Sequence, residues 1–263
     1  MKRILKLAVY GIAAIAALSS CSKNEDVPSQ KDIETKIIGR WKSVAFDGVT
    51  QLTNGRAVMT YFSDKTATFS MSRFMDELGV YAWSNKIPQI WSVEGNTVYE
   101  KCIENSAAQF KKVVVIEDNN FSYVVTRVIE PQSGESTPNW TIDAQKVTAD
   151  YSQDIIGMWE GVEMTGEETY GDANHRIEYK ADGTYVYYDK DGDDWKLSED
   201  VDNEYNVDGD WLASRWRPKA GEDFEYEWWD IVEIKDGTMK WSALREKEDG
   251  TRFTTTFTWK KIQ

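Results

Sequence analysis

Phe253, Thr255, Phe257 and Trp259 alternate with Thr254, Thr256, Thr258 and Lys260 along the last apolar run of the chain. Alternation at period two puts one row on a buried face and the other in water, which predicts a strand of an antiparallel sheet. Runs of β-branched and aromatic residues recur upstream, separated by turn pairs such as Asp47-Gly48, Asn54-Gly55, Asp182-Gly183, Asp208-Gly209, Asp236-Gly237 and Asp249-Gly250. These pairs supply the positive φ that tight hairpins need. The spacing predicts about eight strands in each half of the chain, in a meander. Long amphipathic helical patterns are absent, and one short helical turn is expected at Asp32–Ile38, with a counterpart in the second half. A sheet of this size with no covering helices buries its apolar face by closing on itself.

The pattern also repeats. Ile37-Ile38-Gly39-Arg40-Trp41-Lys42-Ser43-Val44 returns as Ile155-Ile156-Gly157-Met158-Trp159-Glu160-Gly161-Val162, an offset of 118. At the same offset Tyr61, Asp64, Thr66 and Phe69 face Tyr179, Asp182, Thr184 and Tyr187, and Arg127 faces Arg245. Ordered matches over so long a stretch mark a tandem duplication. The predicted fold is all-β: two tandem small up-and-down β-barrels, residues 32–148 and 150–263.

The amino terminus stands apart. Lys2, Arg3 and Lys6 precede an apolar run from Leu7 to Leu18, about 12 residues long, short of the roughly 20 that a spanning helix needs. Leu18-Ser19-Ser20-Cys21 then resembles the bacterial lipobox, in which small residues precede a cysteine that receives a diacylglyceryl thioether. The resemblance implies a signal peptide at residues 1–20, cleavage before Cys21, and a lipidated tether at 21–31 carrying palmitate-type acyl chains. Two or three chains on one cysteine give stable anchoring where one is marginal. Ser22 is not the aspartate that favours inner-membrane retention in Gram-negative lipoproteins, and Glu25-Asp26 is similar to the short export signals of surface-displayed ones. The expected location is the outer membrane, at the cell surface.

Gly39-Arg40-Trp41 and Gly157-Met158-Trp159 resemble the Gly-x-Trp that opens the first strand of lipocalins. Tyr179-Lys180-Ala181-Asp182-Gly183-Thr184-Tyr185 and Tyr205-Asn206-Val207-Asp208-Gly209 are similar to segments of short lipocalin-like domains in bacterial surface lipoproteins. The resemblance implies lipocalin-like barrels in which Trp41 and Trp159 close one end, with Arg127 and Arg245 packed on their indole faces. Each half is shorter than a full lipocalin and lacks its late long helix.

Composition narrows the chemistry. Forty-five acidic against 31 basic residues give a formal net charge of −14, which disfavours nucleic acid and anionic lipid surfaces as partners. With Cys21 lipidated, Cys102 has no intrachain disulfide partner. His175 is the single histidine, expected on an exposed loop, and no phosphate loop, dinucleotide fingerprint or nucleophile elbow occurs. Binding without catalysis or cofactor is expected. Asp189, Asp191 and Asp193 suggest calcium, but the intervening glycine is misplaced for an EF-hand, and an Asp-rich hairpin tip accounts for the segment.

Aromatic residues are the stronger clue, at 13% of the chain with 12 tryptophans. Trp211 and Trp216 differ by an odd number of positions, as do Trp228 and Trp229, so each pair points to opposite faces of a strand. Trp195, Trp211, Trp216, Trp228 and Trp229 are therefore candidate ligand-binding residues for a small apolar molecule or a glycan. The alternative is a protein-interaction module of a cell-envelope complex, with filled barrels. Whether the barrel interiors are open or packed separates the two readings.

Overall fold

The computed structural model describes residues 29–50, 52–53, 55–75, 80–104, 108–129, 140–166 and 175–262. The leader, Cys21 and the tether up to residue 28 lie outside them, as does the Arg127 side chain.

A seven-residue helix, α1 (Gln30–Lys36), opens the first unit. The Ser29 hydroxyl accepts from the Asp32 amide while the Asp32 carboxylate accepts from the Ser29 amide, a reciprocal cap. The helix delivers Ile33 and Ile37, both buried, beneath the strands that follow. These are β1 (Gly39–Phe46), β2 (Val49–Thr50), β3 (Gly55–Tyr61), β4 (Thr66–Met75), β5 (Val80–Glu94), β6 (Thr97–Cys102), β7 (Ala108–Glu117), β8 (Asn120–Ile129) and β9 (Trp140–Val147). β1 pairs antiparallel with β3, each of β3 to β8 pairs with the next, and β9 returns to pair with β1. Eight strands thus form a closed barrel, and the short β2 is an extra strand on β1.

The second unit repeats this plan with β10 (Gly157–Thr165), β11 (His175–Tyr179), β12 (Tyr185–Asp191), β13 (Asp194–Leu197), β14 (Val201–Asp208), β15 (Trp211–Arg217), β16 (Glu225–Lys235), β17 (Thr238–Glu246) and β18 (Arg252–Lys261). The duplication reaches individual bonds. The Trp41 and Trp159 indoles donate to the Ile37 and Ile155 carbonyls, both at 2.7 Å. The register shift at Ser43/Ala45 in the β1–β9 ladder returns at Gly161/Glu163 in the β10–β18 ladder. Asp64 and Asp182 each accept from the amide and hydroxyl of the threonine two residues on.

The second barrel departs from the first at one seam. Its strand order runs β13-β12-β11-β10-β18-β17-β16-β15-β14, so β12 and β14 should meet to close it. They touch at one end only, through the Thr184–Glu204 bridge and a 2.8 Å bond from the Tyr205 amide to the Gly183 carbonyl. Beyond that point β12 pairs with β13 through the acidic turn around Gly192, while β14 is bulged between Val201 and Glu204. A bulged strand loses ladder pairing locally, and the barrel stays open there.

The two units dock through the outer face of β15 and β16. Cross-strand partners Trp211/Asp230, Ala213/Trp228 and Arg215/Tyr226 share that face. It meets β3–β5 of the first barrel: Tyr81 stacks on Tyr226 with centroids 3.9 Å apart, and Arg56 lies 4.6 Å over Trp228. Charges are complementary. Arg40 pairs with Asp208 at 2.8 Å, Lys42 with Asp210 and Asp230 at 2.8 and 2.9 Å, and Arg56 with Asp230 at 3.3 Å. Gly209 sits in the hairpin tip at this contact with φ +74°, where a Cβ would lie 2.7 Å from the Arg40 side chain. Only glycine takes that conformation and that proximity without strain.

Candidate functional site

The interiors of the two barrels differ. In the first, Trp41, Tyr61, Trp91, Phe121 and Tyr123 pack into one buried cluster. Within it the Glu100 carboxylate pairs with the Lys112 ammonium at 2.8 Å, their side chains 1% and 4% exposed, and accepts from the Tyr61 hydroxyl. The described side chains of this interior pack against one another as a single cluster.

The second barrel holds a cavity of ≈ 570 Å³, inside the roughly 300–1,000 Å³ of small-molecule sites. Tyr185 and Tyr187 come from β12, Ser214 and Trp216 from β15, Glu227 and Trp229 from β16, Trp241 and Arg245 from β17, and Phe257 and Trp259 from β18. Ser214/Glu227 and Trp216/Glu225 are cross-strand pairs on the inward face, opposite to the face that docks on the first barrel. Trp229, Trp241 and Trp259 form a continuous wall, with centroids 5.4 Å apart for the first pair and 4.8 Å for the second. Thr53 and Tyr81 of the first barrel also line the cavity. The site therefore needs both units.

Asp200, Glu225 and Glu227 bring negative charge, against Arg245. Arg245 is held by the Glu227 carboxylate at 3.3 Å and the Trp228 carbonyl at 3.0 Å, and covers the Trp229 ring at 4.5 Å. Burial raises the Tyr185 and Tyr187 hydroxyls above the usual phenol value, and the nearby Glu227 charge adds to it. Tyr179 and, in the first barrel, Tyr61 and Tyr123 are raised for the same first reason. Phenols held protonated above the unfolded value of 10.0 stabilise the fold fully below about pH 10, and that stabilisation is lost as the pH climbs further. A spectrophotometric titration is accordingly expected to show these tyrosines ionising late and together, at the alkaline unfolding transition. A smooth titration of every tyrosine at its free value, with the fold intact, would contradict their burial.

Of the tryptophans singled out from the sequence, Trp216, Trp228 and Trp229 line the cavity. Trp211 does not: it is fully buried on the outer face of β15, under the first barrel. Trp195 lies on β13 beneath the Arg176 guanidinium at 4.2 Å, away from the cavity. Arg245 does not lie over Trp159, and the Arg127 side chain expected over Trp41 lies outside the described residues; a lysine is found over each indole. Lys146 covers Trp41 at 5.3 Å and Lys261 covers Trp159 at 5.1 Å, because the ends of β9 and β18 run past the indoles. Arg245 instead points into the cavity at the opposite end. His175, expected on an exposed loop, opens β11 and lines the cavity, with Nδ1 3.2 Å from the Asp189 carboxylate. Asp189 is engaged there and Asp191 pairs with Lys196. Among the described residues no group of three His, Cys, Asp or Glu is placed to hold a metal ion.

Trp241 and Trp259 belong to the same wall and were not among the candidates, because a tryptophan on the buried row of a strand, as Trp259 is, reads as core. Asp208 was legible only as a turn residue, and nothing in the sequence marked Asp210 or Asp230 as docking groups.

No family model matches the chain, and no curated protein matches it. Among solved structures it is similar to a protein of unknown function of the DUF3598 family from Nostoc punctiforme, at 12% identity over 89% of this chain and 99% of that one, with a TM-score of 0.27. It is also similar to a Trp-to-Ala mutant of transferrin binding protein B from Haemophilus parasuis, at 5% identity over 79% of this chain and 54% of that one, TM-score 0.27. Transferrin binding protein B from serogroup B Neisseria meningitidis gives 6% identity, 79% and 66% coverage, and a TM-score of 0.25. The chain spans about half the length of the Haemophilus protein. The two-barrel fold rests on the pairing of this chain's own strands.

Proposed function

We propose that this chain is a membrane-anchored binding lipoprotein, displayed at the outer membrane, whose second barrel holds a small ligand without transforming it. The observation that carries the reading is the ≈ 570 Å³ aromatic-walled cavity in that barrel. The first barrel acts as a platform: it anchors the second through the Arg40, Lys42 and Arg56 ion pairs and supplies Thr53 and Tyr81 to the cavity. Cys21 carries the lipid, and a tether of about ten residues reaches at most roughly 35 Å. The first barrel thus stays near the membrane, and the second stands farther off.

Because Trp216, Trp229 and Trp241 line the cavity, occupancy changes their surroundings directly. Titration of the full chain in detergent with neutral saccharides and with apolar fluorescent probes is expected to give a saturable change in tryptophan emission for at least one of the two classes. A flat response to both would favour an interaction module with no small-molecule ligand.

A further inference from the structure

The charges around the cavity of the second barrel do not balance. Asp200, Glu225 and Glu227 line it, against a single guanidinium, Arg245. Glu227 accepts from Arg245 at 3.3 Å and so accounts for that charge. Asp200 accepts from the Ser198 hydroxyl at 2.8 Å, and neither Asp200 nor Glu225 has an ion pair among the described residues. His175, the other basic side chain of the lining, places Nδ1 3.2 Å from the Asp189 carboxylate. The excess reaches the interior. Burial is the first cause of the raised Tyr185 and Tyr187 hydroxyls, and the Glu227 and Asp200 charges act on both.

Aromatic rings stand beside these carboxylates. Trp216 and Glu225 are cross-strand partners, so their side chains leave the sheet about 5 Å apart. Trp216 and Tyr187 are partly exposed in the lining. No protein cation lies over either ring among the described residues, whereas Arg56 and Arg245 cover Trp228 and Trp229. An uncharged apolar molecule would take the carboxylates out of water and give nothing in exchange, which is costly. A saccharide would hydrogen-bond to them and leave their charge uncompensated, and an anion would be repelled. A metal ion needs several oxygens at one point, and no group of three His, Cys, Asp or Glu converges among the described residues. An organic cation answers both features, its charge meeting the carboxylates and its flanks the ring faces. We infer that the cavity binds a small protonated organic amine on an apolar body. This inference rests on the cavity being a ligand site, as proposed above.

The test uses the full chain in detergent and three water-soluble probes: 3-phenylpropylamine, 3-phenylpropan-1-ol and maltotriose. The first two share one body and differ in charge. By calorimetry the amine is expected to bind about tenfold more tightly than the alcohol, the effect of one charge interaction near a protein surface, and to weaken as salt is raised. Asp200→Asn combined with Glu225→Gln keeps polar groups at both positions and removes their charge. It is expected to weaken the amine about tenfold and to leave the alcohol unchanged. Glu233→Gln is the control: it removes one charge from the same strand as Glu225, but Glu233 pairs with Lys240 and is not part of the lining, so neither probe should respond. Circular dichroism reports the fold; if the double variant does not fold, Glu225→Gln alone, at an exposed position, replaces it with a loss of about threefold expected. Equal affinity for amine and alcohol, or binding of maltotriose alone, would overturn the amine assignment and leave the ligand site standing. Silence from every probe would overturn both. Amine binding indifferent to the loss of both carboxylate charges would place it outside the cavity and sink the inference.

Discussion

Glu100→Ala is expected to destabilise the first barrel by about 3–5 kcal/mol, the usual cost of removing one partner from a buried ion pair. Glu100 and Lys112 side chains are 1% and 4% exposed and lie 2.8 Å apart. Burial alone lowers the Lys112 pKa, and Glu100 is the group that opposes this shift. Without the carboxylate, the ammonium would face only the Tyr61 hydroxyl at 3.3 Å and the Tyr123 ring at 4.8 Å. Neither carries a compensating charge. Typical domains hold about 5–15 kcal/mol in total, so a loss of this size should lower the urea midpoint sharply. Glu100→Leu combined with Lys112→Met should recover most of it, since apolar side chains of similar volume replace buried pairs at little cost. A single-variant loss below about 1 kcal/mol, the range of exposed pairs, would mean that water reaches the pair.

Cys21→Ala is expected to move the protein from the membrane fraction to the soluble periplasmic fraction, and to end its labelling by radioactive palmitate. The chemistry leaves no substitute, because a diacylglyceryl thioether requires the lipobox thiol, and the other cysteine, Cys102, is the last residue of β6. No helix of the described residues is long and apolar enough to cross a membrane, and the chain as a whole is acidic, with a formal net charge of −14. Anchoring on this reading depends on acyl chains, each buried CH₂ contributing about 0.8 kcal/mol. Two or three chains hold the protein; none leaves it free. Membrane association that persists in Cys21→Ala would refute the lipoprotein reading. With lipidation intact, protease added to whole cells should digest both barrels if they face outward.

The strands and the duplication were readable because each is a local or nearly local matter. Period-two runs such as Phe253–Lys260 need only one wet and one dry face. The Gly-x-Trp repeat returned as a shared bond because an indole four residues past a carbonyl makes the same contact in both copies. The site was readable only in part. The odd spacing of Trp228 and Trp229 does point them to opposite faces, yet they are 3% and 4% exposed. Both line the cavity, and Trp228 is also covered by Arg56 of the first barrel. A strand's own pattern records that a face is apolar, without recording what covers it.

From the sequence alone came the all-β class, the two repeats, the closing tryptophans and the expectation of a lipid on Cys21, each carried by a motif or a period along the chain. The tertiary structure decided that the first barrel is closed around one packed cluster while the second is open at the β12–β14 seam and holds a cavity. It also made docking groups of Asp208, Asp210 and Asp230, and sent Arg245 into the cavity while Lys261 took its place over Trp159. These outcomes depend on volumes and charges brought together from strands more than 100 residues apart, and no local pattern encodes such a meeting.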